Sequence, residues 1–299
     1  SEKRGGRIRL NMTGRSCIDF SMERMPSFLI EAGIENVRIR SLGADGTVLR
    51  ECSRAHHGKL KPLLDGEITS TTGAASGGNA GPEILLTGKL SAEAAAALGG
   101  GTRVLSEAAL RRAAQLLLDD GDPGERGAES VAIIDFSASG YCVVTIRRRG
   151  QNGAEGIARN PSCGSGSGVN LRRVLEKLAI AVEDADRLLA AYLGEQGAPR
   201  RAALPVRTER CGVFSVSATV SDKNQGIPID HALAVTMKSE VMKPCGRVPA
   251  GIDRVYLTGG VFRWRFMREC AEDALAGRGI RDIRYDGDQS LTMAGLEAL

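Results

Sequence analysis

One pattern occurs twice in this chain, and it restricts the fold more than any other feature. Glu83–Leu98 reads EILLTGKLSAEAAAAL and Arg254–Cys270 reads RVYLTGGVFRWRFMREC. Each is a short apolar run that ends in Thr-Gly and gives way to a helical period. A strand-pair signal precedes each. Val37–Leu42 and Thr47–Glu51 flank a turn at Ala44-Asp45-Gly46, and Val131–Phe136 and Tyr141–Arg147 flank Ser137–Gly140. Apolar runs of this length, bounded by turn residues, read as hairpin strands. Hairpins followed by crossover helices build mixed sheets with helices packed on them. The expectation is an α/β fold with one sheet architecture present twice.

A chain of 299 residues is long for one domain. The polar breaker GDPGERG, Gly121–Gly127, places a boundary. The expected domains are 1–127, with an N-terminal extension, and 128–299, whose last helix, Leu291–Leu299, packs back on the first. Further helices are expected at Ala92–Leu98, at Glu107–Leu118 with Ser106 as N-cap, at Val169–Tyr192, at Ile229–Val241 behind Pro228 and at Phe262–Leu275. Asp282–Tyr285 reads as a strand, Thr69–Gly81 as a loop, and Val213–Val220 alternates as a strand does. Ser27–Ala32 reads as a short helix or an extension.

Composition excludes several function classes. Basic and acidic residues nearly balance, 40 against 36, and aromatics are only 4%. A base-stacking surface and a nucleic-acid partner are not expected. No apolar run reaches the roughly 18 residues of a membrane span, and SEKRGGRIRL lacks the apolar stretch of a secretory signal. A soluble, cytoplasmic chain is expected. The seven cysteines, at 17, 52, 142, 163, 211, 245 and 270, are odd in number and contain no C-x-x-C pair. That argues against a disulfide framework and a zinc ribbon, and most should be small buried hydrophobes.

The most informative segment for chemistry is RNPSCGSGSGVNL, Arg159–Leu171. Glycines let backbone N–H groups approach an anion, and a helix start adds partial positive charge. A thiolate there has a lowered pKa and binds metal. Cys163, with Gly164, Gly166 and Gly168, suits a metal–sulfur cluster or a phosphate, or else a flexible linker. Cys211 lies between Arg210 and Gly212 in RTERCGVFSVSATVSDKNQG; read alone it is structural. Gly259 and Gly260, after the strand RVYLT, suit a ligand-facing turn or an ordinary tight one. Asp135 ends a buried strand, where a carboxylate could hold a metal-bound water. Cys52, His56 and His57 form C-x3-H-H, and Arg147–Arg149 read as a solvated hairpin end.

Taken in order, these segments resemble the BadF/BadG/BcrA/BcrD group of the acetate kinase–Hsp70–actin superfamily. SCGSGSGVNLRRVLEKLAI is similar to its Cys-Ala-(Ala/Ser)-Gly-(Thr/Ser)-Gly helix start, with Cys163 on the cluster cysteine. CGVFSVSATVSDKNQGIP is similar to its second cysteine segment, with Cys211 on the other ligand. RVYLTGGV and DQSLTMAGLEAL are similar to its adenosine strand and last helix. The resemblance implies two RNase H-like, actin-like ATPase domains. It implies a [4Fe–4S] cluster shared by two protomers through Cys163 and Cys211, in a homodimer or a heterodimer with a related ATPase subunit. It implies ATP and Mg at Asp135, Gly259 and Gly260, and a dehydratase or CoA-thioester reductase as redox partner. Four departures accompany it. The first phosphate hairpin, Asp-x-Gly-Ser-Thr in the group, corresponds here to GIENVRIRSLGADG. The second, Asp-Ile-Gly-Gly-Gln-Asp-x-Lys, is DFSASGYC, with Cys142 in place of the Lys. The group's Ala-Glu-Ser-Glu after the second cysteine is Ser215-Val216-Ser217-Ala218, and FRWR follows LTGGV. Side chains in place of glycines keep a backbone away from phosphates, which implies a lost or weak ATPase.

Overall fold

The computed structural model describes residues 27–43, 45–72, 82–119, 128–148, 156–160, 167–208, 212–287 and 290–299. They divide into two compact units, residues 27–116 with Leu291–Leu299, and Leu117–Ser290.

The first unit holds strands β1 (Ser27–Ala32), β2 (Asn36–Leu42), β3 (Val48–Ala55), β4 (Ile84–Thr87) and β5 (Thr102–Arg103). Their order is β3-β2-β1-β4-β5. β1 pairs antiparallel with β2 and parallel with β4. Helices α1 (Leu60–Thr72), α2 (Ser91–Leu98) and α3 (Ser106–Asp119) follow in the chain. Phe28, Ile30 and Ala32 pack with Leu60, Leu64 and Ala94, whereas Leu29 packs with Ala109, Met293 and Leu296. The second set draws on α10 (Leu291–Glu297). A Cβ at Gly295 would strike the Ala109 carbonyl, so only glycine lets α10 lie this close.

Ser27–Ala32, expected as a helix or extension, is the central strand. It is buried on both faces, so its residues show no alternation that would mark a strand.

The second unit repeats the topology. β6 (Ser130–Ser137), β7 (Gly140–Arg147), β8 (Gly156–Arg159), β9 (Arg254–Thr258) and β10 (Asp282–Tyr285) lie in the order β10-β9-β6-β7-β8. β6 pairs antiparallel with β7 and parallel with β9. The two five-stranded mixed sheets, flanked by helices, are the expected α/β architecture. Helices α4 (Gly168–Leu178), α5 (Val182–Leu193), α6 (Gly197–Ala203), α7 (Gly212–Asn224), α8 (Ile229–Cys245) and α9 (Arg265–Ala276) complete the unit. Its core joins Ile134, Phe136 and Leu257 to Leu171, Leu189, Leu233 and Phe266.

Two expectations change here. The single helix over Val169–Tyr192 breaks at Ala179, whose φ is 57°. Val213–Val220 is helix α7, not a strand. Its buried residues, Gly212, Ser215 and Thr219, have helical spacing but are small and polar. Hydrogen bonds seat them on α8: Ser215 Oγ donates to Glu240 Oε1 at 2.9 Å, and Thr219 Oγ1 meets Thr236 Oγ1 at 2.7 Å. A hydropathy pattern cannot register a buried face made of hydroxyls.

Candidate functional site

The C-terminal end of β6 carries Asp135. Register partners across a sheet share a face, so Asp135 lies beside Cys142 of β7 and Thr258 of β9. Thr258 Oγ1 donates to Asp286 Oδ2 at 2.6 Å, and the Asp286 N–H donates to the Leu257 carbonyl. The row therefore reads Cys142, Asp135, Thr258, Asp286, at the ends of parallel strands where α/β sheets hold ligands.

Gly259 follows at φ 98°. A Cβ there would meet Asp135 Oδ1 and the Phe136 carbonyl oxygen at 2.5 Å each. Only glycine lets this turn close on β6. Gly260 opens a short 3-10 turn, Gly260–Arg263, and nothing stands within 4 Å of a Cβ placed on it.

The β6–β7 turn is held by its own hydroxyls. Ser137 Oγ meets Ser139 Oγ at 3.0 Å and donates to the Gly140 carbonyl. The first turn of α4 rests on this turn. The Val169 N–H donates to the Ala138 carbonyl at 3.1 Å, and a Cβ on Gly168 would meet Ala138 Cα at 3.0 Å. Ser167 Oγ accepts the Asn170 N–H. The close approach at Gly168 is thus to protein, and two early N–H groups of α4 already have acceptors. Asn170 Nδ2 is buried without a hydrogen-bond partner among the described residues.

Cys163, Gly164, Gly166 and Cys211 lie outside the described residues. Cys163 precedes α4 and Cys211 immediately precedes α7, and these two helices pack together. Val213 and Phe214, next after Gly212, are exposed. Arg207 fixes the chain just ahead of Cys211. Its N–H donates to Ser239 Oγ at 2.8 Å, and its guanidinium reaches Thr219, Thr236 and Asp222.

The described cysteines are Cys52, Cys142, Cys245 and Cys270. Burial pushes the thiols of Cys142, Cys245 and Cys270 up to about 12, with the Asp135 charge adding to the effect at Cys142. Such thiols stay protonated and are poor metal ligands. Burial, then Glu67, raises Cys52 as well. His56 is buried with both ring nitrogens engaged: Nε2 with the Gly33 carbonyl and Nδ1 accepting the Gly58 N–H. The C-x3-H-H motif is therefore a structural loop. No group of three or more His, Cys, Asp or Glu among the described residues is placed to hold a metal ion. Arg147 and Arg148 donate to the carbonyls of Ala250, Ala128 and Leu118, so the expected solvated hairpin end is a tether.

The first unit has an equivalent strand end that the sequence did not reveal. Glu31 stands one residue before the end of β1, with Arg38 of β2 and Thr87 of β4 as its register partners. Thr87 Oγ1 meets Ser106 Oγ at 3.2 Å. Gly88 follows at φ 94°, and its Cβ would meet the Ala32 carbonyl oxygen at 2.5 Å. The acid Glu31, followed by Ala32-Gly33, thus matches the acid Asp135. The hairpin that seemed to begin at Gly33 begins one strand earlier.

The two sheets of one topology define the class: this is the actin-like fold. Among solved structures, the chain is similar to component A of the Acidaminococcus fermentans (R)-2-hydroxyglutaryl-CoA dehydratase. The TM-score is 0.64 and identity 18%, over 92% of this chain and 96% of that one. It is also similar to the activator of the Clostridium difficile 2-hydroxyisocaproyl-CoA dehydratase with bound ADPNP, with TM-score 0.63 and identity 13%, over 92% of each chain. At these identities the likeness establishes the fold. No family model and no curated protein matches the chain. No helix among the described residues is long and apolar enough to cross a membrane.

Proposed function

We propose that this chain is a cytoplasmic electron-transfer subunit related to the dehydratase activators, in which Cys163 and Cys211 hold half of a [4Fe–4S] cluster. The sorting of the cysteines carries the reading. Cys142, Cys245 and Cys270 are buried and protonated. Cys163 and Cys211 instead stand ahead of two helices that pack together. Two thiolates are half of the four such a cluster needs, so a second protomer supplies the rest. The exposed Val213 and Phe214 beside Cys211 suit such a partner, whether a copy of this chain or a related ATPase subunit. Bound there, the group supplies one-electron transfer at low potential to a dehydratase or CoA-thioester reductase. The chain's own part is to aim two helix starts at it and to fix the Cys211 segment through Arg207.

Hydrolysis of ATP is lost or weak in this reading. Ser137 and Ala138 replace the glycines that would admit a phosphate, and the turn bonds to itself. Asp135, packed on Gly259 at the strand ends, favours a second reading: an activator that hydrolyses Mg·ATP.

Iron and acid-labile sulfide on anaerobically purified protein test the first reading. About two of each per chain is expected for a cluster shared by two protomers. Cys163→Ala and Cys211→Ala should each abolish iron while leaving the fold intact by circular dichroism. Iron that survives either change would refute it. Phosphate release with Mg·ATP decides the second reading.

A further inference from the structure

The seam between α7 and α8 is polar. The buried residues of α7 are Gly212, Ser215 and Thr219, so this helix lends the core no large buried apolar side chain. α8 lends Leu233, Val235, Met237 and Val241. On its other side α7 packs on α4, and its Val216 is only partly buried. Ser215, Thr219 and Asp222 of α7 follow one helix face at i, i+4 and i+7, opposite Thr236, Ser239 and Glu240 of α8. Arg207 bridges the two from the α8 side. Its N–H donates to Ser239 Oγ at 2.8 Å and its guanidinium to Thr236 Oγ1 at 3.2 Å. Across the seam the guanidinium reaches Thr219 Oγ1 at 3.1 Å and pairs with Asp222. The hydroxyls do not depend on the seam. Thr219, Thr236 and Ser239 each have an acceptor four residues earlier in their own helix, the carbonyls of Ser215, Ala232 and Val235, at 2.8, 2.9 and 2.6 Å. Glu240 Oε1 likewise accepts from Lys243 Nζ of α8 itself, at 2.7 Å.

We propose that α7 is a separately releasable element, latched to α8 by the ion pair of Arg207 and Asp222. When the seam opens, each hydroxyl keeps the acceptor in its own helix, Glu240 keeps Lys243, and water takes the vacated sites. A protein hydrogen bond exchanged for one to water costs little, whereas parting an apolar seam costs in proportion to its area. The chain on both sides of α7 permits the movement. Gly226 follows the helix at φ 83°, with nothing within 4 Å of a Cβ placed on it. Ahead of it, residues 205–208 form no helix or strand, and Val206 is exposed. The ion pair is the one contact across the seam between two charged groups, and such contacts are the strong ones, so it sets how often α7 lifts. The device belongs to the second unit and does not rest on the cluster reading.

Hydrogen–deuterium exchange of the full chain, read by mass spectrometry at several low urea concentrations, tests this. In the parent, the amides of α7 should be protected, yet exchange at least about tenfold faster than those of α8. Their rates should change little with urea, because a local opening exposes little surface, while rates in α8 climb steeply. Asp222→Asn should speed exchange in α7 by about tenfold or more, the equivalent of one charged hydrogen bond, and leave α8 and β6 as in the parent. Arg207→Gln should speed α7 at least as much, and the double variant no more than Arg207→Gln alone, since both changes cut one contact. Exchange of α7 at the rate of α8, with the same urea dependence, would mean that α7 opens only with the whole unit, and overturns the proposal. So does an α7 without protection in the parent, which would have no latched state. Equal acceleration of α7 and α8 in Asp222→Asn, or none in either, overturns it as well. Iron content of the parent decides the cluster reading and does not enter these rates. The two proposals can therefore fail separately.

Discussion

The strand end at Glu31 and the strand end at Asp135 share a backbone and differ in chemistry. Each places an acid opposite a threonine, and each needs glycine next, because the turn folds onto the carbonyl of the residue after the acid. Around that frame the neighbours diverge. Beside the acid stands Arg38 in the first unit and Cys142 in the second, and the threonine's partner is Ser106 in the first and Asp286 in the second. The same backbone frame stands at both ends, and the charge beside the acid differs. The features that are the same report packing, and those that differ are where function is to be sought.

The largest expected effect tests the shared frame. Gly88→Ala and Gly259→Ala each add a Cβ at positive φ, against a backbone carbonyl 2.5 Å away. Strain and overpacking together should cost about 3 kcal/mol in either unit, read by urea unfolding. Were Gly88→Ala tolerated and Gly259→Ala not, the two ends would not be structural equivalents.

A smaller effect separates the threonines. Thr258→Val leaves a buried carboxylate oxygen of Asp286 without its donor. Hydrogen bonds to charged groups contribute about 1.5–3 kcal/mol. Thr87→Val removes a contact between two hydroxyls, nearer about 0.5–1.5 kcal/mol. Equal losses would mean that the Asp286 contact is no stronger than the Ser106 one.

How much of this was legible in the sequence follows from what hydropathy can encode. The repeated Thr-Gly strands announced the duplicated α/β fold because their apolar runs and glycines are local signals. β1 was not legible: SFLIEA is buried on both faces, and without it Glu31 and Arg38 had no register. α7 was misread because its buried face is Gly212, Ser215 and Thr219, small or polar residues of which the last two bond to Glu240 and Thr236 of α8. Asp135, Gly259 and Gly260 were found because strand ends and diglycines are readable. Asp286 was not, because its importance lies in one hydrogen bond to Thr258 across the sheet.

The finest test of the second end is how its thiol titrates. Cys142, Cys245 and Cys270 are raised from 9.0 to about 12, chiefly by burial. Below pH 9 both folded and unfolded chains keep these thiol protons, so the thiols add no pH dependence. From about 9 to about 12 the unfolded chain loses protons that the folded chain retains. Stability must then fall as pH rises, by about 1.4 kcal/mol per pH unit for each such thiol. Cys142→Ala should make that slope shallower by about one proton. Urea midpoints at a series of alkaline pH values read the slope directly. A slope unaltered in Cys142→Ala would mean that the thiol beside Asp135 is accessible to base. The neutral end of the comparison would then carry a charge after all.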